Sequence, residues 1–88
     1  MIQWTVNVSD EVKKRLGTIQ NPERTRIWTA IKMLRAGLYD SGLDVKKLRG
    51  RPEWRLRIGG WRILFLADNK KITITVISIG SRGDVYKK

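Results

Sequence analysis

"RLRIGGWRILFLA" occupies residues 55–67, and its reading decides the fold. Gly59-Gly60 lies between two apolar-rich, alternating runs, the pattern of a two-residue hairpin loop. With those glycines as the loop, Ile58 pairs with Trp61, Arg57 with Arg62, Leu56 with Ile63, and Arg55 with Leu64. Strand side chains alternate between faces. Trp54, Leu56, Ile58, Trp61, Ile63 and Phe65 therefore share one face, which reads as core. Arg55, Arg57 and Arg62 share the other. Arg57 opposite Arg62 is a like-charge cross-strand pair, and such pairs destabilise. No acid in the hairpin interior offsets it, and Glu53 stands at the strand's far end. An anion would relieve the repulsion, and guanidinium groups bind phosphate bidentately. The structural alternative is that Asp44, Asp84 or a group of carbonyls satisfies the arginines.

Outward from the hairpin, Asn69-Lys70 reads as a turn into Lys71–Ile79, a run rich in β-branched residues that Gly80 ends. On that register Ile77 falls opposite Arg62, and the tail SRGDVYKK emerges beside the Gly-Gly end of the hairpin. Toward the N-terminus, Ile2, Trp4, Val6 and Val8 alternate with Gln3, Thr5 and Asn7, a half-buried strand. Ser9 reads as an N-cap, with Asp10 and Glu11 complementing the helix dipole. Val12, Leu16 and Ile19 follow at helical spacing. Asn21-Pro22-Glu23 starts a second helix, whose stripe is Ile27, Ile31, Leu34 and Leu38 with Ala30. The spacing predicts helices over ~10–20 and ~22–38. Residues 40–52 read as a connecting loop anchored by Val45 and Leu48. The expected architecture is α+β, in the order β-α-α-β-β-β. A helical hairpin packs on one face of a largely antiparallel four-stranded sheet, and residues 1–88 form a single domain.

Composition narrows the function classes. The chain has 88 residues and no cysteine, which excludes disulfides and zinc-thiolate sites. There is no histidine and the carboxylates are scattered, so neither a metal nor a cofactor is expected. The longest apolar run, Ile63–Ala67, is too short to span a membrane. The N-terminal sequence lacks the pattern of a signal peptide, so a cytoplasmic protein is expected. Nineteen Lys and Arg face eight Asp and Glu, a net charge of +11. An excess of this size favours polyanionic partners. Lys46, Lys47, Arg49 and Arg51 run into Arg55 and Arg57, a stretch suited to RNA or ribosome contact.

"LRGRPEWRLRIGGWRILF", followed by "VISIGSRGDVYKK", resembles the RelE/ParE superfamily of toxins from toxin–antitoxin modules. The match is a Leu-Arg-Gly loop, a basic alternating strand, a Gly-aromatic-Arg hairpin and an Ile-Gly-x-Arg ending near Val-Tyr. It is strong and in order over residues 47–88. Residues 1–40 match only in pattern. The resemblance implies a cytoplasmic toxin held inactive by a cognate antitoxin, and it implies the RelE-like fold. Operator DNA is reached only through the antitoxin, and no membrane is involved. In the RelE-like branch the activity is ribosome-dependent cleavage of mRNA. The ParE-like branch poisons DNA gyrase without nuclease action. A degenerate relative that only binds its antitoxin is the other alternative.

Carried over by the resemblance, the RelE-like site falls on Arg55, Arg57, Arg62, Arg82 and Tyr86. Tyr86 favours the RelE side, since ParE-like tails usually lack it. The best-known RelE-like member has lysines where this chain has Arg55 and Arg57. Arginine does not lose its proton in proteins, yet 2′-hydroxyl attack needs a proton acceptor. Glu53, Asp84 and Tyr86 are the candidates that the sequence offers. Trp28, beside the apolar stripe of the second helix, is read as core or as an antitoxin contact. Lys13-Lys14-Arg15 reads as a solvated helix face or, alternatively, as a ribosomal RNA contact.

Overall fold

The computed structural model describes residues 3–38 and 42–81. The chain opens with strand β1 (Thr5–Val8), helix α1 (Asp10–Gly17) and helix α2 (Glu23–Met33), which ends in a 3-10 turn, Leu34–Ala36. Strands β2 (Asp44–Lys47), β3 (Trp54–Ile58), β4 (Trp61–Asp68) and β5 (Thr73–Ser81) follow. They form a five-stranded sheet in the order β1-β5-β4-β3-β2. Only β1 and β5 run parallel; every other pair is antiparallel.

Local signals set the helices. The Ser9 hydroxyl accepts from the amide of Val12, so Ser9 caps α1 as its residue type favours. Val12, Leu16, Ile27, Ala30, Ile31 and Leu34 form the buried face of the helical layer. They meet Leu56, Ile63, Phe65, Ile74, Val76 and Ile79 on the sheet. Trp54 and Phe65 pair across β3 and β4 with their rings stacked, centroids 6.3 Å apart. Trp61 fastens both helices to the hairpin. Its Nε1 donates to Glu23 Oε2 at 3.2 Å, and the Arg15 guanidinium lies 5.7 Å from its ring centroid.

The Gly59-Gly60 hairpin has the expected register: Ile58 with Trp61, Arg57 with Arg62, Leu56 with Ile63, Arg55 with Leu64. Gly59 takes φ 55°, a region that side chains disfavour and two-residue hairpin loops need.

Two expectations are corrected. The sheet has five strands, not four, because Asp44–Lys47 leaves the anticipated loop and pairs with Arg57–Trp54. Val45 gives this short strand one apolar side, and it is half-buried against the core. The second correction concerns register. Asn69-Lys70 is not a two-residue turn: Asp68 pairs with Thr73, leaving four residues between. Asp68 Oδ1 accepts from the amides of Lys70 and Lys71, which stabilises the longer turn. An irregularity at Leu64/Phe65 adds a further shift. Arg62 therefore faces Gly80 rather than Ile77.

Candidate functional site

The open face of the sheet, away from the helices, is built in cross-strand rows. Directly paired residues of neighbouring strands share a face. The pairings Asp44 with Arg57, Arg57 with Arg62, and Arg62 with Gly80 make one row across β2, β3, β4 and β5. The next row is Lys46, Arg55, Leu64 and Ser78. On β2, β3 and β4 these two adjacent rows hold one carboxylate, four cations and Leu64, and β5 adds Gly80 and Ser78.

Each basic residue has a different environment. Arg57 is exposed and Arg62 half-exposed. Neither has an ion-pair partner among the described residues. Arg55 is different. Its Nη2 donates to Asp44 Oδ1 at 3.0 Å, and its side chain is only 14% exposed, against 55% for Asp44. Across the ladder it meets Leu64, which is 3% exposed although it lies on the face opposite the helices. A long arginine stem can cover such an apolar neighbour while its head stays polar. The Arg55 Nε is buried with no hydrogen-bond partner. Of the structural alternatives for the arginines, Asp44 serves Arg55.

The basic run preceding the hairpin divides by parity. Lys46 is exposed in the Arg55 row. Lys47 takes the other face, and its ammonium donates to the Arg51 carbonyl. Arg49 is exposed in the turn between β2 and β3. Arg51 is tied to Glu53, Nε to Oε1, at 3.1 Å. Glu53's own backbone amide, and then the Arg51 guanidinium, hold its carboxyl below the usual carboxylate range. Glu53 is thereby engaged in the loop. Arg82 and Tyr86, with Asp84, lie outside the described residues.

Sequence reasoning missed the place of Asp44 in the Arg57 row. The signal was the alternation of DVKK between Gly42 and Gly50, too short to outweigh the loop reading. Trp28 is half-buried against the core and, with Trp4 and Ile31, lines a groove of about 500 Å³ between β1 and α2. Lys32 and Arg35 also line that groove.

No protein-family model matches the sequence, and no curated protein matches it. Solved structures do match. The archaeal RelE-RelB complex of Pyrococcus horikoshii OT3 gives a TM-score of 0.80 at 22% identity, covering 92% of this chain and 97% of the other. The chain has the RelE fold. The RelB-RelE antitoxin-toxin complex of Methanococcus jannaschii matches with a TM-score of 0.73 at 24% identity, covering 91% and 94%. The intact E. coli RelBE toxin-antitoxin complex matches at 0.72 and 17%, covering 89% and 95%. In this example of the RelE fold, the Arg57 row draws its side chains from three neighbouring strands, so the backbone ladder fixes their spacing. No helix among the described residues is long and apolar enough to cross a membrane.

Proposed function

We propose that this protein is the toxin of a type II toxin–antitoxin pair and blocks translation by cutting mRNA on the ribosome. The observation that carries the reading is Arg57 facing Arg62 on the open sheet face, with no ion-pair partner for either among the described residues. Two guanidiniums held a strand spacing apart repel each other until an anion bridges them. A phosphodiester in the scissile position meets that need, and the pair then stabilises the added negative charge of the pentavalent phosphate. Arg55 supports the cluster from the neighbouring row, and Lys46 and Arg49 extend the positive surface along the mRNA or ribosomal RNA. Arg82 and Tyr86 complete the site, Arg82 on phosphate and Tyr86 orienting a base. The RelE fold, found in complexes with RelB, supports a cognate antitoxin as the second partner. Trp28 and its groove belong to that contact, and operator DNA is reached through the antitoxin. The toxin works in the cytoplasm, where ribosomes are.

Mapping 5′ ends of a reporter mRNA after a pulse of expression tests the reading. Codon-phased cuts are expected from the wild type. Arg57→Ala, Arg62→Ala and Arg82→Ala each reduce them and leave the fold intact. Intact transcripts with a DNA-damage response would instead assign the chain to gyrase poisoning.

A further inference from the structure

A cleavage site of arginines lacks a group that can take the proton from the attacking 2′-hydroxyl. We infer that Asp44 is that group. The inference rests on the endonuclease reading and names the residue it leaves open. Asp44 occupies the same cross-strand row as Arg57 and Arg62, in the order carboxylate, guanidinium, guanidinium. Neighbouring strands lie about 4.8 Å apart, so from Asp44 to Arg62 the row spans about 10 Å. A phosphate gripped at Arg57 and Arg62 then has its ribose side within reach of β2.

The other described carboxylates are elsewhere. Asp10, Glu11 and Glu23 belong to the helices on the opposite face. Glu53 is bound to Arg51. Asp68 lies at the far end of β4, and its Oδ1 accepts from the turn amides of Lys70 and Lys71. Asp44 is more than half exposed, so RNA can approach it. Its Oδ1 is fixed by Arg55 at 3.0 Å, which orients the carboxylate without covering it. Orientation by a third group is what a working proton acceptor requires. Arg55 then acts through Asp44: it is a positioning residue, which accounts for an arginine drawn away from the exposed part of the cluster.

The 2′-oxygen forms a bond to phosphorus while its proton passes to the Asp44 carboxylate. The bond from phosphorus to the 5′-oxygen breaks, and that oxygen takes a proton from water. The products are a 2′,3′-cyclic phosphate and a 5′-hydroxyl, and Asp44 returns its proton to solvent.

Single-turnover cleavage on programmed ribosomes with purified full-length protein tests this. Asp44→Asn keeps an oxygen for Arg55 but cannot accept the proton. The expected rate loss is about 10²–10⁴-fold, the usual contribution of general base catalysis. Affinity for ribosomes carrying a 2′-deoxy nucleotide at the scissile position stays within about threefold, because the phosphate grip is untouched. The same substitution in an Arg55→Ala background costs less than in the wild type but still more than about tenfold, because Asp44 remains the proton acceptor there and has lost only its positioning partner. If the Arg55→Ala background abolishes the effect of Asp44→Asn, Asp44 acts only by holding Arg55 and the assignment is wrong. If the wild type cuts and Asp44→Asn cuts as fast, the assignment falls and the endonuclease reading stands. If the wild type leaves programmed mRNA intact, both fall together.

Discussion

Arg57 stands directly opposite Arg62 across the β3–β4 ladder. A fold selected for stability alone would place a threonine or an opposite charge at one of these positions. Arg62→Thr is therefore expected to stabilise the free protein by about 0.2–1 kcal/mol, the range of a cross-strand pair. Thermal melts at low and high salt check this. The gain shrinks as salt screens the repulsion in the wild type. On the proposed function the same variant is expected to lose toxicity, because there the repulsive pair grips the phosphate. A lower melting temperature for Arg62→Thr at low salt would show that the pair carries no strain.

Asp44 and Arg55 make a different kind of pair, and removing either half has unequal effects. Arg55 is mostly buried and already has one donor, Nε, without a partner. Asp44→Ala strips the guanidinium of its acceptor, and an expected loss of about 1–3 kcal/mol follows from an unsatisfied buried polar group. Arg55→Met removes the charge and keeps an apolar stem at the position paired with Leu64, so it is expected to cost less. Urea denaturation of the two variants orders them. Equal losses would mean that Arg55 contributes packing and not an engaged charge.

Much of this fold is legible in the sequence. The hairpin register followed from Gly59-Gly60 alone, because a two-residue loop leaves no freedom in the pairing. Ser9 and the Val12/Leu16 spacing located α1 for the same local reason. What failed depended on less local terms. The β4–β5 register shifted by three residues because Asp68 caps a longer turn and the ladder carries an irregularity at Leu64/Phe65. Neither feature has a strong sequence mark. Strand β2 was missed because four residues with one apolar side chain carry little period-2 signal, and their pairing depends on an exposed edge of β3 being available. That omission mattered for the site, since it took Asp44 out of the arginine row.

Glu53 gives the protein an acid-sensitive contact. Its carboxyl is held below the usual range, first by its own backbone amide and then by Arg51. A depressed folded-state pKa stabilises the fold above the unfolded value, about 4.3 for glutamate. That stabilisation is lost as the pH falls through the lower, folded-state value. Glu53→Gln is therefore expected to melt below the wild type at neutral pH. The gap closes on acidification beneath about pH 4.3. A series of melts from neutral to acid pH reads this directly. A gap that persists to the acid end would mean that Glu53 acts by shape and not by charge.

The two faces of the protein should also differ in how they bind. Arg57 and Arg62 belong to the open sheet face, whereas Lys13 is exposed on α1 in the helical layer on the other side. A cation that touches a phosphate releases a counterion, so its loss changes the salt dependence of binding and not only its strength. For single-stranded RNA the slope of log affinity against log salt changes by about 0.7 per phosphate contact. Arg57→Ala and Arg62→Ala are each expected to lower the slope by about that amount on programmed ribosomes. Lys13→Ala subtracts the same formal charge from the chain, and on the proposed function it lies away from the phosphates, so its slope is expected to stay at the wild-type value. Titrations at several salt concentrations distinguish the two. If Lys13→Ala lowers the slope as much as Arg57→Ala does, the helical face contacts RNA too, and the sheet's arginine row is not where the phosphates are held.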